Sequence, residues 1–193
     1  MADSLTRDLV VRTARGQLEK EGAEQLSLRG VARALGVTAP ALYAYVDDKH
    51  ELLAAVAADH FERLIERFAL IDAPDPLERI RALSRAYVAH AVASPALFRL
   101  MFRYPPSPTS ELAAFPPATE AFEVAAAATA AAIASGQLTV DDASMASMVM
   151  WVAIHGVAEV LLMGFGFDKD WEDQLIESVI ETVLAGQSQP PLT

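Results

Sequence analysis

The stretch GVTAPALYAYVDDKHELLAAV, Gly36 to Val56, decides how this chain is read. A proline is tolerated in a helix only in the first turn, where its missing N–H leaves no bond broken. Pro40 therefore marks the start of a helix with Thr38 as its N-cap, and Tyr43 and Tyr45 follow one turn later. The helix is short, ending near Val46. Asp48 caps the next one, with Glu51 three residues on in a capping-box relation.

Working back from that stretch, Ser27 caps a helix whose apolar face is Val31, Ala32 and Leu35, and Gly36 turns the chain. The two helices and their turn have helix-turn-helix proportions, in which the second helix enters the major groove of DNA. Ala39, Ala41 and Ala44 are small enough to let the backbone approach, and their methyls match thymine methyls. Tyr43 and Tyr45 carry hydroxyls suited to phosphates. Lys49, in the first turn of its helix, opposes the helix dipole until an anion arrives. Ser27 is similarly placed for a phosphate, and Arg29 for a guanine edge.

The rest also reads as helix. Val10, Ala14 and Leu18 recur at four-residue spacing before Gly22. Further helices are predicted from Asp48 past Phe68, over Leu77–Ala93, from Pro95 through Phe102, up to Ser135, over Thr139–Gly164 and over Asp168–Ala185. The five prolines between Tyr104 and Ala118 exclude a continuous helix there. No strand alternation and no internal repeat is evident. The predicted fold is all-α: a helix-turn-helix module over residues 1–47, a larger helical effector-binding and dimerisation domain over 48–186, and a flexible tail over 187–193.

Composition narrows the function. The 193 residues are 53% apolar and 21% charged, as in a globular chain. The absence of cysteine excludes disulfides and thiolate metal sites and suits a cytoplasmic protein. The N-terminus carries charge inside its apolar run, unlike a signal peptide. The best candidate for a membrane span, Val149–Phe167, is interrupted by His155 and Glu159, so no membrane partner is expected. The net charge of −11 argues against nucleic acid, but residues 1–60 carry only −2 of it, leaving room for a local contact surface at that end. No metal cluster, phosphate loop or nucleophile–base pair appears, so neither a cofactor nor catalysis is expected. A ligand carrier or scaffold with a degenerate DNA module is the alternative.

Over Leu26–Val56 the sequence resembles the tetracycline-repressor (TetR) family of bacterial regulators. The resemblance rests on Ser27, Ala32, Leu35-Gly36-Val37, Leu42-Tyr43, Val46, Lys49 and Leu52-Leu53. The family often has histidine where Tyr45 stands and phenylalanine at Val46. Trp151, His155 and Gly156 resemble the Trp-x-x-x-His-Gly signature of one group of C-terminal domains in that family. The resemblance implies a homodimer on a palindromic double-stranded operator, with a small molecule in the C-terminal core changing the spacing of its DNA-binding modules.

The residues beyond the motif support the same division of labour. The Thr139–Gly164 helix is apolar on nearly every side and must be buried on more than one. Met148, Trp151, His155 and Glu159 share one face. Ala153, Gly156, Val157, Val160 and Gly164 lie mostly on another, where small residues permit close contact with a second subunit. Leu175, Val179 and Val183 in the last helix form a further stripe for that partner. A mainly apolar effector pocket is expected from Phe61, Phe98, Met101, Phe102, Met148 and Trp151, with Tyr87 and His155 as polar contacts. Arg79, Arg81 and Arg85 read as a solvated helix face.

Overall fold

The computed structural model describes residues 5–103 and 116–188. The described residues form nine helices and no strand: α1 (Arg7–Glu21), α2 (Leu28–Leu35), α3 (Ala39–Leu42), α4 (Lys49–Ala69), α5 (Pro76–Ala93), α6 (Pro95–Arg103), α7 (Pro116–Ala134), α8 (Ala143–Leu162) and α9 (Lys169–Gln187). The all-α class follows from the 3.6-residue spacing of the apolar positions.

Local chemistry sets most boundaries. Thr6 caps α1 by accepting from the Leu9 N–H at 3.2 Å, and Val10, Ala14 and Leu18 form its buried face. Ser27 caps α2 by accepting from the Gly30 N–H at 3.1 Å. Gly36 ends α2 with φ 69°, a left-handed conformation that costs other residues more. At Gly30 a Cβ would stand 3.1 Å from Ser27 Oγ and 3.3 Å from Gln17 Oε1. The missing side chain lets α1 and α2 approach, and the Gln17 amide donates to the Gly30 carbonyl at 3.1 Å.

Four boundaries differ from the sequence expectation. The third helix ends at Leu42, and Tyr43–Tyr45 form a turn in which the Leu42 carbonyl accepts from Tyr45 and Val46 N–H groups at 2.9 and 3.1 Å. Pro116 and Pro117 lie inside α7, because its first turn needs no N–H from either. The remainder of the predicted proline-rich loop, 104–115, lies outside the described residues. The eighth helix starts at Ala143, not Thr139: Asp142 caps it through the Met145 N–H, while Thr139 bonds to the Gln187 carbonyl. Gln187, assigned to the tail by sequence, is buried, and its amide donates to the Ala146 carbonyl at 2.8 Å.

The chain divides into two compact units, Met1–Arg63 with Ser94–Ala118, and Leu64–Ala93 with Thr119–Thr193. The division falls inside α4. In the first unit α1 packs on α2 and α6, and Arg15 on α1 bridges Asp59 on α4 at 2.7 Å. These contacts draw most of α4 and all of α6 to the N-terminal helices.

In the second unit α8 packs against both α5 and α9. The arginines of α5 are not a solvated face. Arg85 meets Glu177 through two hydrogen bonds of 2.6 Å, Arg81 pairs with Glu181, and Arg79 donates to the Ile71 carbonyl at 3.0 Å. By length and composition alone α8 could cross a membrane, a span the sequence reading discounted further along the chain. Its inward residues Ala146, Met150, Ile154 and Ala158 are buried among the helices, as in the core of a globular unit.

Candidate DNA interface and effector site

The first unit holds every residue expected to meet DNA. Leu42, Val31 and Ala32 are buried, and α2 packs on α3. Their outer surfaces carry Ser27, Arg29, Thr38, Pro40 and Tyr43, all exposed, with Ala39 and Ala41 half-exposed. Tyr43 is 56% exposed, so its ring is not filling the core. The Ser27 oxygen accepts the cap hydrogen bond, which leaves its proton available to a phosphate.

Two expected phosphate contacts already have internal partners. The Tyr45 hydroxyl donates to the Leu5 carbonyl at 2.8 Å, fastening the chain ahead of α1 to the end of the recognition segment. Its proton is thus committed inside the subunit. Lys49 donates from Nζ to the Glu24 carbonyl at 3.1 Å, which holds the ammonium beside the loop that leads into α2. An exposed surface bond of this kind exchanges readily for a charged acceptor. Sequence reasoning passed over Arg33. It is exposed one turn after Arg29 on α2, and that four-residue spacing was the available signal.

The residues expected to line an effector pocket fall into both units. In the first, Phe98 and Met101 are buried, and Phe102 meets Phe61 and Phe98 edge to face at 5.9 and 5.4 Å. In the second, Tyr87, Trp151 and His155 form a polar chain. The Trp151 indole N–H donates to the Tyr87 hydroxyl at 3.2 Å, and that hydroxyl lies 2.8 Å from His155 Nδ1. Indole can only donate, so the phenol oxygen accepts from Trp151, while the roles at Nδ1 follow the histidine tautomer.

Burial favours the neutral forms of both groups. It lowers the His155 pKa, against the opposing charge of Glu159, and it raises the Tyr87 pKa. The result is a hydrogen-bonded cluster of Trp151, Tyr87 and His155 between α5 and α8. Met148 lies half-buried one turn before Trp151 on the same face of α8.

The outward face of α8 is apolar. Met145, Val149, Val152, Gly156 and Met163 recur at three-, four- and seven-residue intervals and are exposed, Val152 by 58%. Val160 is half-buried beside them, and Gly164 is exposed just beyond the helix. Val157, expected on this face, is only 5% exposed. One residue is about 100° of helix, so Val157 turns away from Gly156 toward the core. On α9, Leu175, Val179 and Val183 are half-buried, while Ile180 and Leu184 form the core face. At the α8–α9 junction Phe167 stacks on Trp171 at 3.8 Å, beside Phe165, and all three are exposed.

Comparison with known proteins agrees with this layout. Residues 10–56 match the family described as bacterial regulatory proteins, tetR family, and residues 80–183, more than half of the chain, match a tetracyclin repressor-like C-terminal domain. The narrower Trp-x-x-x-His-Gly group remains an expectation from three residues. An HTH-type transcriptional regulator of Mycobacterium tuberculosis is 27% identical over 96% of this chain and 83% of its own. A protein of unknown function from Rhodococcus sp. RHA1 superposes with a TM-score of 0.84 at 27% identity, covering 97% of this chain and 98% of that one. A TetR/AcrR-family regulator from Thermobifida fusca shares the fold, with a TM-score of 0.70 at 23% identity over 95% and 98% of the two chains. The chain belongs to the TetR family of bacterial transcriptional regulators, and it is a DNA-binding regulator rather than an enzyme.

Proposed function

We propose that the protein is a ligand-responsive repressor that binds a palindromic operator as a homodimer. The observation that carries this reading is the exposed surface of α2 and α3, where Arg29, Thr38, Pro40 and Tyr43 project around half-exposed Ala39 and Ala41. In this reading Lys49, Tyr43 and Ser27 hold phosphates, Arg29 reads a guanine, and the alanines approach the base edges. Tyr45 positions the N-terminal segment instead.

The second subunit lies on the outward face of α8 and the half-buried stripe of α9. Apolar side chains exposed in this number and register are stabilised by a partner. A small, mainly apolar effector meets Met148, Trp151, Tyr87 and His155, the last three of which form a hydrogen-bonded cluster that supplies polar contacts beside apolar surface. Such a ligand acts by binding the state that does not hold DNA more tightly than the state that does.

The test is selection of bound duplexes from a random pool, followed by a mobility shift on the enriched sequence. The reading predicts an inverted repeat whose half-sites are about one helical turn apart, roughly 34–36 Å. A pool that yields no enriched sequence would favour the carrier or scaffold alternative.

A further inference from the structure

We propose that the recognition segment distinguishes its half-site through the 5-methyl groups of thymines rather than through hydrogen bonds to bases. The proposal rests on the operator-binding reading above. It follows from what the segment Thr38–Ala44 presents. Thr38, Pro40, Tyr43 and Ala44 are exposed, Ala39 and Ala41 are half-exposed, and Leu42 is buried as the anchor.

Two-point recognition of guanine needs arginine or lysine, and that of adenine needs asparagine or glutamine. None of these four residue types occurs between Thr38 and Ala44. The outward polar atoms of the segment are the hydroxyls of Thr38 and Tyr43, each able to bond phosphate or base with little discrimination. The remaining outward surface is apolar: three alanine methyls, the threonine methyl, the proline ring and the ring of Tyr43, which is 56% exposed. In the major groove the apolar feature of an unmodified base pair is the thymine methyl. An apolar contact surface this close to the backbone therefore selects methyl-bearing positions. Arg29 sits on α2, so a guanine contact there is separate from the alanine surface.

This assignment has a consequence that hydrogen-bond readout lacks. Cytosine methylated at C5 carries its methyl at the same place in the groove, so the protein senses the methyl whichever pyrimidine bears it.

The experiment uses the full chain and the operator recovered from the random pool, with binding followed by fluorescence anisotropy. Each thymine of the half-site is replaced in turn by deoxyuridine, cytosine or 5-methylcytosine. Loss of a methyl contact predicts about two- to four-fold weaker binding at each contacted thymine, from ~0.8 kcal/mol for a fully buried group. At the same positions 5-methylcytosine should bind better than cytosine by a similar factor. In the Ala44→Gly variant the thymine-to-uracil ratio should fall toward one at a single position. Equal affinity for thymine and uracil throughout the half-site would overturn the inference while leaving operator binding intact. Failure to recover any preferred sequence would instead overturn the functional reading on which it rests.

Discussion

Lys49 stands at the first residue of α4, where the helix dipole disfavours a cation, and its ammonium reaches back to the Glu24 carbonyl. The neighbouring carboxylates are occupied: Asp48 caps the helix through the Glu51 N–H, and Glu51 bonds to the Asp47 N–H and to Arg7. A phosphate at this position would take the lysine from the neutral Glu24 carbonyl. Replacing Lys49 by Ala should weaken binding to operator and random duplexes alike. The slope of log affinity against log salt should fall by about one. A titration across several salt concentrations checks this, and a loss confined to one base pair would assign Lys49 to base reading instead. Part of this scale was legible: Ser27 and Asp48, expected as caps, each accept the backbone N–H three residues on, whereas Thr38 stands at its cap position without a side-chain bond. The partner of Tyr45 was not, because forty residues separate it from Leu5 and no local rule connects them.

At the scale of elements, α5 and α9 are joined by ion pairs that sequence periodicity could not reveal. Arg81 and Arg85 lie one turn apart on α5, as Glu181 and Glu177 do on α9, and only the packing of the two helices shows that they meet. The arginine hydrogen bonds hold both glutamates below their usual pKa. A depressed folded-state carboxylate contributes stability above its unfolded value, about 4.3, and loses it as pH falls through the folded value. Thermal unfolding should therefore vary little in this respect between neutral pH and about 4.5, then weaken on further acidification. Arg81→Ala with Arg85→Ala should remove part of that acid sensitivity. Because these pairs are substantially exposed, the cost at neutral pH should be at most ~1 kcal/mol for each. An unchanged acid profile in the double variant would show that other carboxylates govern it. The faces of α8 illustrate the same limit. Sequence showed that the helix was apolar all round, but not that Val157 turns inward while Val149 and Val152 are left outside.

For the whole molecule, the proposed function requires two chains to hold one operator. The outward stripe of α8 runs from Met145 to Met163 with Gly156 within it, where the absence of a side chain favours close approach of a second helix. The Phe165–Phe167–Trp171 cluster continues the apolar surface at the α8–α9 junction. Association on these surfaces would pair two DNA modules about a two-fold axis, matching an inverted repeat. Val152 is the position at which to test this, since its exposure lets a charge replace it without disturbing the core. Sedimentation of the protein at micromolar concentration, alone and with its selected operator, is the most direct measurement. The expected result is a dimer that binds one duplex, and a folded Val152→Arg variant that sediments as a monomer and loses operator affinity. A wild-type monomer that occupies the operator as a single chain would contradict it.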